Sequence, residues 1–258
     1  MKHLETKEQG RYLYCVAKNN EQTSLGKIGI DNNEVYTIPN NGLTAVVHNC
    51  KAEPYDSKEE KKVKNWVRAH QNVIEKAQEK FETVLPLSFD TIINGKNADK
   101  EVINWLQADR ERLERNLEKI KGKEEYGIHL IWEPRIMENV LSRRKEEIKN
   151  LVKDAEEVSK GKAYFIKQKI KKQLKQELEK LADEKIRQFY AGIKKHCVEI
   201  KVEKSKKIER EKEMLMNLSC LVEKDKAKEL GKELDTINKL DGFSVRFTGP
   251  WPPYSFVS

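Results

Sequence analysis

Residues Gly242 to Ser258 read GFSVRFTGPWPPYSFVS, and the reading of this stretch decides the architecture. Phe243, Val245 and Phe247 alternate with Ser244, Arg246 and Thr248, the period-two pattern of a half-buried strand. Gly249 and Pro250 end that strand. Pro250, Pro252 and Pro253 each lack an N–H and fix φ, so the chain beyond is extended rather than helical. This segment carries Trp251, Tyr254 and Phe256, whereas most tails are polar and frayed. It is therefore expected to be docked, on its own domain or on a partner surface. The expected seat is beside Phe243–Phe247, with Trp251 buried and its indole N–H hydrogen-bonded.

Working back from this strand gives a repeating order. Tyr126 to Trp132 (YGIHLIW) is a strand, and Pro134 opens a long helical region with Val140, Ile148, Leu151, Val152, Ala155 and Val158 on one stripe. Gly161 is expected to interrupt it. A second helix follows, with Ile166, Ile170, Leu174, Leu178, Leu181, Ile186 and Phe189 at steps of three or four. Val198–Val202 and Met214–Val222 are strands, and Lys224–Leu240 is an amphipathic helix with Ala227, Leu230, Leu234 and Ile237 inward. Strand, helices, strand, strand, helix, strand is the βαββαβ order of a ferredoxin-like domain with an enlarged first crossover.

The first half reads differently. Tyr12–Ala17 (YLYCVA) is a compact apolar run, expected to be a buried strand. Short strands are expected around Gly26–Ile30 and Val35–Ile38. Leu43–Val47 is a strong strand, entered through the turn pair Asn41-Gly42. Val63, Trp66, Val67, His70, Ile74, Ala77 and Phe81 form one helical stripe, with Ser57 and Glu60 spaced as a capping box. Thr83–Phe89 reads as a strand that Pro86 confines to an edge or a bulge. A third helix carries Val102, Ile103, Leu106, Leu113, Leu117 and Ile120. The pattern stops there, and Gly122 precedes a new strand. The expectation is an α+β protein of two domains: an N-terminal mixed α/β domain, residues 1–121, and a C-terminal ferredoxin-like domain, residues 122–258. The second would hold the long Lys/Glu-rich helices and the docked tail.

Bulk properties narrow the function. Of 258 residues, 36% are charged and 37% hydrophobic, against roughly 25% charged in an average domain, so much of the chain is solvated helix surface. The net charge is +8, which suits an acidic partner. Only 11 of the 51 basic residues are arginine, the residue that reads phosphate bidentately. Lys160–Lys180 holds eight lysines and two glutamates. A nucleic-acid-binding helical module is the alternative reading of that segment. Interleaved glutamates, and the lack of aromatics on a clear sheet surface to stack bases, stand against it.

Catalytic and metal chemistry have no motif to rest on. Cys15, Cys50, Cys197 and Cys220 lack metal-ligand or redox spacing and are expected to be free thiols in a reducing cytosol. No phosphate-binding glycine loop, G-x-S-x-G elbow or zinc-type pair is present. His70 lies on an apolar helix face and His129 within a strand, both expected as packing residues. His196 and Cys197 could be read as a base–nucleophile pair, but neighbours in an extended segment point to opposite faces. Neither a signal peptide nor a membrane span is expected. These features lead to the expectation of a non-enzymatic protein with no cofactor and no metal.

Four stretches carry a resemblance. RYLYCV at Arg11–Val16, VLPLSFDT at Val84–Thr91, GKAYFIKQK at Gly161–Lys169 and the closing GPWPPYSFV resemble, in order, motifs of the gas vesicle accessory proteins GvpF and GvpL. The resemblance spans nearly the whole chain, and its last motif is the most specific. It departs from the family at Asp90, where the motif has glycine. Aspartate tolerates the left-handed conformation that a turn there requires. The resemblance implies a cytoplasmic assembly factor, associated with gas vesicles, that helps initiate or build the shell. Its implied partners are the small hydrophobic shell protein and other gas vesicle accessory proteins, with no membrane. The motif residues, expected to be structural, are Tyr12, Tyr14, His70, Leu85, Pro86, Phe89, Gly161, Tyr164, Gly249, Pro250, Trp251, Pro252, Pro253, Tyr254 and Phe256.

Overall fold

The computed structural model describes residues 9–144, 148, 150, 151, 153, 160–208 and 211–257. The chain divides into two compact units, one made of Met1–Glu125 with Trp251–Ser258 and the other of Tyr126–Pro250.

The first unit is built on β1, Gln9–Lys18, which is buried from Gly10 to Ala17. A strand covered on only one face would alternate. An unbroken buried run means that both faces are covered. β1 pairs antiparallel with β4 (Leu43–Lys51), and the register shifts between Leu13 and Cys15. That bulge adds one residue and puts Tyr14 and Cys15 on the same side. Leu13 and Val16 therefore pack into one core, while Tyr12, Tyr14, Cys15 and Ala17 pack into another. β2 (Ser24–Gly26) and β3 (Val35–Asn40) extend the sheet beyond β4, and β5 (Val84–Pro86) and β6 (Ile92–Asn94) lie on the far side of β1.

Helix α1, Glu60–Phe81, covers the tyrosine face with Trp66, His70, Val73, Ile74 and Ala77. Helices α2 (Ala98–Ala108) and α3 (Arg110–Ile120) cover the other, with Val102, Leu106, Leu113, Leu117 and Ile120. The expected single third helix is thus two. Asp109 leaves helical geometry (φ −96°, ψ 7°), and its carboxylate accepts from Arg112 at 2.6 Å. Aspartate favours caps over helix interiors, and Asp109 is the N-cap residue of α3, so the helix breaks where the apolar spacing would continue. The expected Ser57–Glu60 capping box does not form. The N-cap is Glu59, and Ser57 Oγ accepts from the Glu59 N–H instead. The strand expected around Gly26–Ile30 is replaced by the short β2 and a 3₁₀ turn at Ile30–Asn32.

The second unit has strands β7 (Lys123–Trp132), β8 (Glu199–Val202), β9 (Glu213–Glu223) and β10 (Phe243–Trp251) in the spatial order β10-β7-β9-β8. That is fourth, first, third, second, the split arrangement of a ferredoxin-like sheet. One face packs on the C-terminal part of α5, Lys160–Lys194, and on α6, Ala227–Asn238. Phe189, Ile193, Leu230, Leu234 and Ile237 meet Ile128, Leu130, Leu218 and Cys220 there. α4, Pro134–Arg144, buries Met137 and Leu141. Of the expected stripe after it, Ile148 is buried, and Val152, Ala155 and Val158 lie outside the described residues. Gly161 does not interrupt the helix. It sits in the first turn of α5 with open space around it, where a glycine costs less than in a helix interior.

Two expectations about boundaries are corrected. The units divide within β7, between Glu125 and Tyr126, rather than at Gly122, and the tail belongs to the first unit, not the second. β10 runs on to Trp251, which is 45% exposed rather than buried. Pro252 and Pro253 are buried, Tyr254–Phe256 makes a 3₁₀ turn, and Phe256 and Val257 are buried. The first unit supplies the polar groups that hold this segment. Asn116 Nδ2 donates to the Val257 carbonyl (3.1 Å) and Lys119 Nζ to that of Phe256 (3.2 Å). The buried Glu125 carboxylate accepts from the Ser255 N–H (2.8 Å) and Oγ (2.6 Å). Val257 joins the core under α2 and α3, and Tyr254 joins the one under α1.

Candidate functional site

Most of the motif residues fall in the first unit, although they lie in four separate parts of the chain. Tyr12, Tyr14, His70 and Phe89 meet in one aromatic cluster. The Tyr12 and Tyr14 rings are 4.9 Å apart, and Phe89 is edge-on to both Tyr12 and His70. His70 Nε2 lies 3.2 Å from the Leu87 carbonyl, which can only accept, so the proton is on Nε2. Nδ1 then accepts from the Tyr12 hydroxyl at 2.9 Å. The Tyr12 oxygen in turn accepts from the Asp90 N–H at 3.0 Å.

A second chain of contacts runs alongside. Tyr14 OH lies 2.7 Å from His48 Nδ1, and His48 Nε2 lies 2.9 Å from Tyr55 OH. The Ile30 N–H donates to Tyr14 OH, and the Tyr55 N–H to Asp90 Oδ1. Asp90 stands at φ +67°. It fills the left-handed position and, through its carboxylate, adds a tie that glycine lacks. Leu85 and Pro86 lie in β5, where Pro86 pairs with Cys15. A proline is accommodated there because β5 ends the strand order.

The cluster is a network of mutually hydrogen-bonded, desolvated groups. Desolvation lowers both His48 and His70 from 6.5 to about 4, so each is a neutral imidazole at neutral pH. Burial pushes the Tyr12, Tyr14 and Tyr55 hydroxyls up, away from ionisation. A general base or nucleophile needs a pKa poised the other way. A groove of about 620 Å³ opens beside the cluster, lined by Arg11, Asp31, Tyr55, Lys62 and Trp66 among others. Several of its groups are held by side-chain contacts. The Trp66 indole donates to Asp31 (2.9 Å), Arg11 to Asp99 (2.6 Å), and Lys62 sits 5.0 Å over the Trp66 ring. Among the described residues no group of three or more His, Cys, Asp or Glu could hold a metal ion.

His48, Tyr55 and Trp66 complete this network, and sequence reasoning gave none of them a polar role. One signal was available for His48: it directly follows the apolar run Leu43–Val47, so it continues a buried strand.

Gly161 and Tyr164 are not brought to the cluster. Tyr164 stands on α5 beside Phe165, their rings 5.9 Å apart, and the two are 61% and 74% exposed. Ala163, Ile166 and Ile170 take the inward positions. Tyr164 and Phe165 are one and two residues off that stripe, so a helix turns them outward. From 160 to 172 the charged residues are six lysines and no carboxylate. Further along, lysines and glutamates pair with each other, Lys180 with Glu177 at 2.9 Å and Lys175 with Glu179 at 3.9 Å.

No helix among the described residues is long and apolar enough to cross a membrane. In its sequence the chain is similar to gas vesicle protein L1 of Halobacterium salinarum, 32% identical over 98% of this chain and 92% of that protein. It is 33% identical to gas vesicle protein L of Haloferax mediterranei, over 89% of this chain and 72% of that one. Its fold is that of the crystal structure of gas vesicle protein GvpF from Anabaena sp. PCC7120, with a TM-score of 0.71 at 21% identity, covering 97% of this chain and 98% of the other. With the family model described as gas vesicle synthesis protein GvpL/GvpF matching residues 10–258, the chain belongs to the GvpL/GvpF family.

Proposed function

We propose that this protein is a non-enzymatic accessory factor in the cytoplasm that assists initiation or assembly of the gas vesicle shell. It does so by binding the hydrophobic shell protein and other accessory proteins. The observation that carries this reading is the division of the motif residues. The cluster around Tyr12, Tyr14 and His70, with Leu85, Pro86, Phe89, Tyr254 and Phe256, builds and closes the first unit. Tyr164, with Phe165 beside it, faces water at 61% and 74% exposure. A pair of aromatics held out on a helix is costly in water, and aromatic anchors of this kind dominate protein–protein binding. A shell subunit that is apolar on one side must be shielded until it is incorporated, and an exposed aromatic pair on a long helix offers it a contact.

The test is co-expression with the shell protein, followed by capture of the complex from the wild type and from a Tyr164→Ala/Phe165→Ala variant. The variant is expected to keep its melting temperature and lose most of the captured shell protein. Undiminished capture by a folded variant would remove this helix from the binding surface. Failure of the wild type to capture the shell protein or any accessory protein would remove the function itself.

A further inference from the structure

Neither backbone strain nor crowding calls for glycine at position 161. Gly161 lies in α5 without a left-handed φ, and a side chain built there would meet open space. On a helix its surface neighbours are the residues three and four positions on, and these are Tyr164 and Phe165. They are the two most exposed aromatic side chains among the described residues. Cα–Cβ bonds tilt toward the N-terminus of a helix, so both side chains spring toward the turn that holds Gly161. The absent side chain leaves a notch of bare backbone beside the pair.

Lysines border this notch. Lys162, Lys167, Lys169, Lys171 and Lys172 are exposed, and none has a carboxylate three or four residues away on its own helix. At 3.6 residues per turn, Lys167 falls on the Tyr164 side of the aromatic pair and Lys162 and Lys169 on the Phe165 side. Lys171 and Lys172 follow two turns further along. From Lys162 to Lys172 the border runs about 15 Å at 1.5 Å per residue.

We infer, on the strength of the assembly role just proposed, that Gly161, Tyr164 and Phe165 seat a short segment of a protein partner whose apolar patch is bordered by aspartate or glutamate side chains. The aromatic pair is the anchor, and the glycine lets the partner's backbone come close. The lysines select the segment. Carboxylates around its apolar patch complement them, whereas basic residues at the same places are repelled. Other occupants fit less well. A helix lying in a membrane surface buries a broad apolar face, but Ala163, Ile166 and Ile170 of α5 are turned inward and only two aromatics are left for lipid. Arginine is the residue that reads phosphate bidentately, and residues 160–172 contain none.

Charge reversal tests it with the full chain, co-expressed with the shell protein and with each accessory protein in turn. The variant Lys167→Glu/Lys169→Glu/Lys171→Glu/Lys172→Glu keeps the anchor and reverses its border. It should melt as the wild type does and hold the captured partner about tenfold or more weakly, and wild-type capture should itself weaken as salt rises. Carbodiimide joins a lysine to a carboxylate in contact with it, so cross-links from these lysines identify the bound segment. Changing the acidic residues of that segment to lysine should restore binding to the reversed variant. Gly161→Leu fills the notch and should lose the partner without loss of stability. If the reversed variant fails to fold, glutamine at the same four positions replaces it and should weaken capture in the same direction. Capture by a folded reversed variant equal to that by the wild type overturns the inference and leaves the aromatic contact standing. Tighter binding of the wild type to anionic phospholipid vesicles or to duplex DNA than to any of these proteins also overturns it. A wild type that captures no gas vesicle protein removes the proposed function and this inference with it.

Discussion

Phe256 and Trp251 stand five residues apart on the same segment, and truncating each to alanine separates the two seats considered for the tail. Phe256 is 3% exposed, and its neighbour Val257 lies in the core under α2 and α3. Removing a fully buried phenylalanine costs roughly 3–5 kcal/mol. Trp251 is 45% exposed, so its truncation falls in the range of surface substitutions, about 0.5 kcal/mol either way, to about 1 kcal/mol. Glu125→Ala tests the polar half of the same seat. It strips both acceptors from Ser255 and should cost about 1–3 kcal/mol. Because Glu125 and Phe256 hold one segment, the double variant should cost less than the sum of the singles. Urea unfolding is the assay, with tryptophan fluorescence assigned by substitution. Trp66 and Trp105 report on the first unit and Trp132 on the second. Phe256→Ala should shift the transition that Trp66 and Trp105 report. A larger loss from Trp251→Ala than from Phe256→Ala, or a shift confined to Trp132, would refute the placement of the tail.

Acid should unfold the first unit in a defined window. His48 and His70 take a proton at 6.5 when unfolded and only near 4 when folded, which is about 3 kcal/mol each. Stability is therefore full above pH 6.5 and is lost as the pH falls toward 4, and imidazole NMR signals that titrate near 6.5 in the folded protein would contradict this. At Asp90, replacement by glycine relieves φ +67° but loses the tie to the Tyr55 N–H. Calorimetry should find Asp90→Gly near neutral and Asp90→Ala destabilising by about 1–2 kcal/mol. Reversing Lys167, Lys169, Lys171 and Lys172 to glutamate should leave the melting temperature almost unchanged, since exposed charge pairs are worth about 0–1 kcal/mol. A fall of many degrees would show that their stems are packed.

The longer strands and the strand order of the second unit were legible in the sequence, whereas the short β6 was not expected and the strand expected around Gly26–Ile30 became β2 and a 3₁₀ turn. Tyr12–Ala17 is an unbroken apolar run, read as a buried strand, and β1 is such a strand, covered on both faces. The βαββαβ order of the second unit needs only the sequence of elements, and the observed strand order agrees with it. The destination of the tail was not legible. Three aromatics and three prolines say that a segment is docked, but its anchors, Asn116, Lys119 and Glu125, read in the sequence as ordinary polar residues of a helix and a strand. The break at Asp109 was hidden for a similar reason. The apolar spacing from Val102 to Ile120 continues across it, and one aspartate outweighs that pattern through its own backbone. Tyr164 could have been placed from the sequence. It sits off the stripe defined by Ile166 and Ile170, and position on the helix wheel separates it from the core-forming motif residues better than its membership of a motif does.

The seat of the tail also sets the order in which the molecule can be made. The first unit is not continuous in the chain. Its cores include Tyr254 and Val257, which are synthesised only after Tyr126–Pro250. A ribosome delivers residues from the N-terminus at about 5–20 per second. For several seconds the first unit therefore exists without its last pieces, while the second, an uninterrupted stretch, can already close. Contacts between Asn116 and Val257 span 141 positions, and long-range closures of that kind are slow. The sheet of β1 to β6 thus emerges first and matures last, and during that interval its unfinished cores are the part of the nascent chain most in need of protection.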